Sequence, residues 1–201
     1  MGSRYRIAWI LFAALTAFNS TQATAQKKNS PNFGHVHALT MDSSGQTVFL
    51  GAHTGLFRSS DDGRSWSKVP VSNKHAHIDV MDIAPEPREP TTIYVATHEV
   101  GVLKSIDGGK TWREVNSGLK GLDVHGLAID PKAPATLHAA VREKGDGLYR
   151  TTDGGSKWTR VDDGPEGEVK VLKSVDLPSG MGGIFLYAGT STGLRRSPDC
   201  F

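Results

Sequence analysis

An all-β repeat architecture is predicted for this 201-residue chain by three observations. The stretch Ser59-Ser60-Asp61-Asp62-Gly63-Arg64-Ser65-Trp66 returns as Ser105-Ile106-Asp107-Gly108-Gly109-Lys110-Thr111-Trp112 and as Thr151-Thr152-Asp153-Gly154-Gly155-Ser156-Lys157-Trp158. It begins a fourth time at Ser197-Pro198-Asp199, always after an interval of 46 residues. A glycine four positions upstream, at Gly55, Gly101, Gly147 and Gly193, keeps the same register. Between these marks lie short β-rich runs broken by Gly, Asp, Asn and Pro, without a sustained helical period. A constant period of this size marks units that cannot bury an apolar face alone and must stack. Four antiparallel strands per unit is the content of a β-propeller blade. Three full blades and most of a fourth are expected, over approximately residues 35–76, 77–122, 123–168 and 169–201.

The elements follow in order. Arg4 and Arg6 precede an apolar run from Ile7 to Phe18, and Ala23-Thr24-Ala25 closes it. These are the three parts of a secretory signal peptide over residues 1–25, cleaved after Ala25, and the run is short for a membrane span of about 20 residues. The expected location is secreted or periplasmic, with no stable membrane span after cleavage. Residues 26–34 are polar, carry a proline and read as a leader strap. The first unit then offers strands at Ala38–Met41, Thr47–Ala52, Gly55–Ser59 and Ser65–Val69. The second repeats the order at Val80–Ile83, Thr92–Thr97, Gly101–Lys104 and Thr111–Val115. The third does so at Gly126–Ile129, Thr136–Ala140, Gly147–Arg150 and Lys157–Val161. The fourth has Val171–Val175, Gly183–Ala188 and Gly193–Arg196. Cys200 is the single cysteine, so no internal disulfide holds this fold. The net charge of +2 is spread along the chain and excludes a global nucleic-acid signature.

The repeated motif occupies the turn between the third and fourth strands. Its Ser or Thr (Ser59, Ser105, Thr151, Ser197) and its Asp (Asp61, Asp107, Asp153, Asp199) can satisfy backbone N–H groups that the turn leaves unpaired. Gly63, Gly109 and Gly155 supply positive φ, and Trp66, Trp112 and Trp158 bury a large apolar body. Three equivalent copies on one rim argue for turn organisers rather than catalytic carboxylates.

The pattern S/T-x-D-x-G-x-x-W resembles the Asp-box, or BNR repeat, of sialidases and of propellers with other roles. The segments His125-Gly126-Leu127-Ala128-Ile129-Asp130-Pro131 and Gly147-Leu148-Tyr149-Arg150 are similar to secreted bacterial BNR proteins described as glycosyl-hydrolase-like or as relatives of photosystem II stability/assembly factors. The likeness covers roughly residues 35 to 199 and implies fold far more strongly than activity. For a sialidase it implies three substrate-binding arginines, a Tyr and Glu pair, and a Phe/Tyr-Arg-Ile-Pro strand before the first box. Tyr5-Arg6-Ile7 is the nearest match, but it lies inside the signal peptide and lacks the proline. The arginines of the mature chain form no inward triad in this reading, and no carboxylate pair for glycoside hydrolysis can be assigned. The expected function is a non-catalytic binding or assembly scaffold, and the alternative is a sialidase-like glycoside hydrolase. Protein and carbohydrate ligands both remain open.

A second constellation falls on the opposite rim. Aligning first strands sets His35-x-His37 over His77-x-Asp79 and over Asp123-x-His125, and His53 and His98 end successive second strands. Imidazoles and carboxylates converging on one mouth either hydrogen-bond the loops of adjacent blades to one another, or form a pH-sensitive ligand rim or hold a transition metal. In this alignment the fourth unit breaks the column, with Val169, Val171 and Thr190 in place of the polar residues. The period is cut within the fourth motif, so the chain is expected to be a shortened form of a longer propeller, and open blade edges are expected to favour self-association.

Overall fold

The structure is a computed structural model that describes residues 31–71, 74–75, 77–165, 167–177 and 184–197. The expected signal peptide, residues 26–30 of the leader, Asp199 and Cys200 lie outside the described residues. Among the described residues, fifteen strands form four antiparallel sheets in a ring, a four-blade β-propeller. Blade 1 holds β1 (Val36–Met41), β2 (Val48–Ala52), β3 (Gly55–Ser59) and β4 (Ser67–Val69). Blade 2 holds β5 (Val80–Pro85), β6 (Ile93–Thr97), β7 (Gly101–Ser105) and β8 (Arg113–Glu114). Blade 3 holds β9 (Val124–Ile129), β10 (Leu137–Val141), β11 (Gly147–Thr151) and β12 (Thr159–Arg160). Blade 4 is described through β13 (Val169–Val175), β14 (Phe185–Thr190) and β15 (Gly193–Ser197). No helix occurs among the described residues, so none there is long and apolar enough to cross a membrane.

Sheets this small cannot bury both faces by themselves. Each blade therefore lays one face on its neighbour. Phe49, Leu56 and Val69 of blade 1 meet Val80, Ile83, Ile93 and Val95 of blade 2. Tyr94, Ala96, Val102 and Val115 of blade 2 meet Val124, Leu127, Leu137 and Tyr149 of blade 3, and Ala128, Ala140 and Leu148 meet Leu172, Leu186 and Ala188 of blade 4. The strands come close enough that a Cβ on Gly51 would stand 2.7 Å from Val80 Cγ1.

The fourth seam differs. Leu39 occupies the register position of Ile83, Leu127 and Leu172, which are 2–6% exposed, yet it is 65% exposed. Leu194 matches Leu56, Val102 and Leu148 but is 70% exposed. Burying such a side chain is worth about 1.5–3 kcal/mol, so this seam lacks a stabilisation the other three have. The outer part of the same blade 1 face is covered by the leader, where the Phe33 ring stands edge-on to Phe57 at 4.8 Å and to Trp66 at 5.9 Å.

The repeated turns are hydrogen-bonded alike. Ser105 Oγ donates to Asp107 Oδ1 (2.8 Å) and accepts from Gly109 N–H (2.9 Å), while Thr111 N–H donates back to Asp107 Oδ1 (2.9 Å). Ser59, Asp61, Gly63 and Ser65 repeat the pattern, as do Thr151, Asp153, Gly155 and Lys157. The Thr111 hydroxyl and N–H hold Asp107 down at about 2, and Ser65 does the same for Asp61. Gly63, Gly109 and Gly155 have φ of 80°, 84° and 88°, which a side chain would strain. The fourth strands begin one residue after the tryptophan rather than before it, because each indole leaves the sheet edge to pack beneath its turn. Trp158 goes furthest: it is buried and donates Nε1–H to the Val115 carbonyl of blade 2 at 2.7 Å.

That difference predicts graded losses. Trp158→Ala should cost about 3–5 kcal/mol through its cavity and the orphaned carbonyl, whereas Trp66→Ala, at a half-exposed site, should cost about 1–2 kcal/mol. Denaturant unfolding of both variants checks this, and equal losses would contradict the assigned packing.

Candidate functional site

At the end of the ring opposite the repeated turns, β2 runs out and β1 begins, and the same is true in each blade. A backbone hydrogen bond closes each of these corners: His53 N–H donates to His35 O, His98 N–H to Asp79 O, Arg142 N–H to Asp123 O and Ser191 N–H to Glu168 O, at 2.8–3.1 Å. These bonds fix a register that corrects the sequence alignment. His35, Asp79, Asp123 and Glu168 share one column, and His53, His98, Arg142 and Ser191 share the other. His77 lies two residues outside the column and is exposed. The fourth blade therefore carries Glu168 and Ser191 at these positions, not Val169 and Thr190.

Each first strand has a bulge two residues inside the corner, at His37, Met81, His125 and Lys170. A bulge re-aims its side chain away from the pleat. In blades 1 and 3 it presents an imidazole to the mouth.

Two three-residue groups result, each spanning a blade boundary. In the first, His37 Nε2 stands 3.2 Å from His53 Nδ1 and 3.4 Å from Asp79 Oδ1, and His53 Nδ1 lies 2.5 Å from Asp79 Oδ2. His35 stacks on His53 with ring centroids 5.1 Å apart and planes at 23°. In the second, His98 Nδ1 and His125 Nε2 both lie 2.7 Å from Asp123 Oδ1. The guanidinium of Arg142 is 3.0 Å from His125 Nδ1 and also pairs with Glu168 of blade 4. The mouth is thus a chain of contacts from an imidazole or guanidinium to a carboxylate across successive blades: His53 to Asp79, His98 to Asp123, Arg142 to Glu168. The third link is absent from the sequence reading, which sought histidines and passed over the arginine at the equivalent corner.

The electrostatics follow the contacts. Burial, only partly offset by Asp79, pushes His37 below the usual histidine value, and burial likewise lowers His125, where Arg142 adds to the effect. The hydrogen bond to Asp123 raises His98. A further carboxylate lies between blades: Asp82 accepts from Ile83 N–H and from Leu127 N–H of blade 3, both at 2.8 Å, and burial raises it to about 6. Its counterparts in the other blades are Ala38, Gly126 and Val171, so no repeat pattern could have singled it out.

A family model described as Sortilin, neurotensin receptor 3 (Sortilin-Vps10) matches residues 54–173. Among curated proteins nothing matches. Solved structures of similar fold include an ancestral GH74 enzyme, at 18% identity over 86% of this chain and 24% of that one, with a TM-score of 0.63. The extracellular domain of a hybrid two-component system from B. thetaiotaomicron is 14% identical over 83% of this chain and 24% of its own, with a TM-score of 0.61. YCF48 bound to D1 peptide is 14% identical over 81% of this chain and 48% of its own, with a TM-score of 0.54. The chain spans about a quarter of the length of the first two. At these identities the likeness is one of fold, and these folds serve both enzymes and other proteins.

The paired environments predict a split titration. His98 should titrate above the ordinary histidine value and His37 and His125 below it, with Asp123→Asn bringing His98 back down. Because its folded value is raised, His98 stabilises the fold below the unfolded value, and that contribution is lost as pH rises through the folded one. Imidazole NMR resonances followed against pH test this; identical titration of the three rings would refute it.

Proposed function

This chain belongs to the Sortilin-Vps10 family, and we propose that it acts as an exported, non-catalytic β-propeller scaffold whose histidine mouth binds a segment of another protein. The reading rests on one observation: each carboxylate of the mouth is tied to an imidazole or guanidinium across a blade boundary instead of facing another carboxylate. Glycoside hydrolysis needs two opposed carboxyl groups with separate roles. The carboxylates of the repeated turns face solvent at the other end, and Asp82 is enclosed by backbone N–H groups. A mouth of exposed imidazoles beside fixed charges suits polar recognition of a chain segment, and the peptide complex of YCF48 offers a parallel on a similar fold. Export is supported by the basic, apolar and Ala-x-Ala segments of residues 1–25 and by the extracellular neighbour. The turn motif supports an Asp-box relationship within this reading.

The second reading, a glycoside hydrolase, draws on the GH74 neighbour. Purified protein should release no sugar from sialosides or from a polysaccharide panel, and should select peptides from a displayed library whose retention falls in His98→Ala. Sugar release abolished by substituting one carboxylate would favour the hydrolase instead.

The fourth seam supports a further partner, a second copy of the chain. The exposed Leu194 face of blade 4 and the exposed Leu39 face of blade 1 repeat the two halves of the interfaces buried inside the chain. Light scattering should give a mass above the monomer that falls on Leu194→Lys; a monomer at all concentrations would remove this partner.

A further inference from the structure

We propose that His37, His53 and Asp79 form a mononuclear site for a divalent transition metal, with an open coordination position facing the mouth. The proposal deepens the reading of the mouth as a ligand-binding face by naming an inorganic ligand for one part of it.

The three residues bring one ligand atom each to within 4.8 Å of one another, and two of the spacings match a tetrahedral donor set. An ion bound at 2.0–2.1 Å has ligand atoms about 3.3 Å apart. His37 Nε2 lies 3.2 Å from His53 Nδ1 and 3.4 Å from Asp79 Oδ1. Asp79 Oδ1 is buried and accepts no hydrogen bond among the described residues, so one carboxylate oxygen stands 3.4 Å from His37 Nε2 without a proton to hold it. Leaving such an oxygen unsatisfied is costly, and a cation removes the cost. His53 Nδ1 now bonds Asp79 Oδ2 at 2.5 Å; binding replaces that proton with the ion, which then takes Oδ1. His35, stacked on His53, holds the ring in place from the solvent side. Two imidazoles and one carboxylate are a donor set for zinc-like ions rather than for magnesium or calcium, which prefer all-oxygen cages. Three protein ligands leave a fourth position, and His53 is 46% exposed, so that position opens outward to water or to a donor from a bound partner.

The homologous group at the next boundary is different. There both imidazoles converge on the same oxygen, Asp123 Oδ1, at 2.7 Å each, as N–H donors would. Arg142, 3.0 Å from His125 Nδ1, places a fixed positive charge against the ligand set. Protons and the guanidinium fill the role that the ion takes in the first group, so one ion binds per chain.

The test uses untagged protein freed of metal with a chelator, then titrated with zinc by calorimetry and with cobalt by visible absorption. One equivalent of zinc should bind, cobalt should develop the intense bands of a four-coordinate ion, and magnesium should give no heat. His53→Ala and Asp79→Asn should each weaken zinc by at least about tenfold, while His98→Ala retains one equivalent. Circular dichroism confirms that each variant is folded; if Asp79→Asn is not, His53→Ala decides. Absence of zinc binding, or equal loss in His98→Ala and His53→Ala, overturns the proposal. Peptide selection run on metal-free protein separates the two readings: peptides retained without zinc leave the scaffold standing when the metal site fails, and zinc bound without peptides does the reverse.

Discussion

The structure depends on burial between neighbouring blades. A four-stranded sheet with a two- or three-residue outer strand has too little core of its own, so its apolar positions gain stability only when the next sheet lies against them. That requirement sets the alternation of each strand, the glycine at Gly51 where Val80 approaches, and the docking of Trp112 and Trp158 toward the preceding blade. The repeated turns serve the same end. Their Ser and Asp groups close the loop internally, which frees backbone groups on the outside, such as the Gly154 carbonyl, to accept hydrogen bonds from Tyr94 and Lys104 of blade 2.

The mouth is a by-product of the same stacking. Where β2 hands over to β3 and β1 enters, each blade brings its corner beside the corner of the next, and a backbone hydrogen bond inside each blade fixes the two residues of its own corner. Whatever side chains occupy those positions meet across the boundary. The bulge then adds a third side chain from the first strand, turned out of the sheet plane. Three residues from two sheets are held by backbone geometry alone, which gives a rim of polar groups rigid spacing without a dedicated loop.

Most of the fold was legible in the sequence because the repeat leaves marks that do not depend on three-dimensional context: the 46-residue interval, the turn glycines and the tryptophans. The family is less so, since the turn motif resembles sialidase repeats while the matching family model is that of Sortilin-Vps10. The rim residues were legible as types, and their grouping was not. Sequence spacing put Asp79 in the column of His37, whereas the corner hydrogen bonds set Asp79 with His35 and Asp123. The loops between strands differ in length from blade to blade, so the corner residues 35, 79, 123 and 168 recur at intervals of 44, 44 and 45 while the turns keep 46, and an alignment by spacing misplaces them. Arg142 and Glu168 were missed for the same reason, together with the assumption that a column of histidines continues as histidines. The exposed Leu39 and Leu194 were invisible because they look like their buried counterparts; only the neighbouring sheet distinguishes them.

The two histidine groups show how one scaffold position can be given different chemistry by the residue standing behind it. Both have an imidazole from the corner of one blade, a carboxylate from the next, and an imidazole from a bulge. In the first, the bulge and the corner belong to the same blade, and His37 and His53 approach the carboxylate from one side with their ring nitrogens facing each other. In the second, the bulge imidazole belongs to the blade that supplies the carboxylate, and the two rings meet edge to face with 5.5 Å between centroids. Arg142 then occupies the corner of that blade, as His53 does in blade 1, and brings a permanent charge to the far nitrogen of His125. In partial burial against the His125 ring, that charge opposes a dication far more strongly than it would in open solvent. The corner residue of the blade that supplies the bulge histidine, His53 in one case and Arg142 in the other, is therefore the switch between a group that accepts an ion and one that holds its protons.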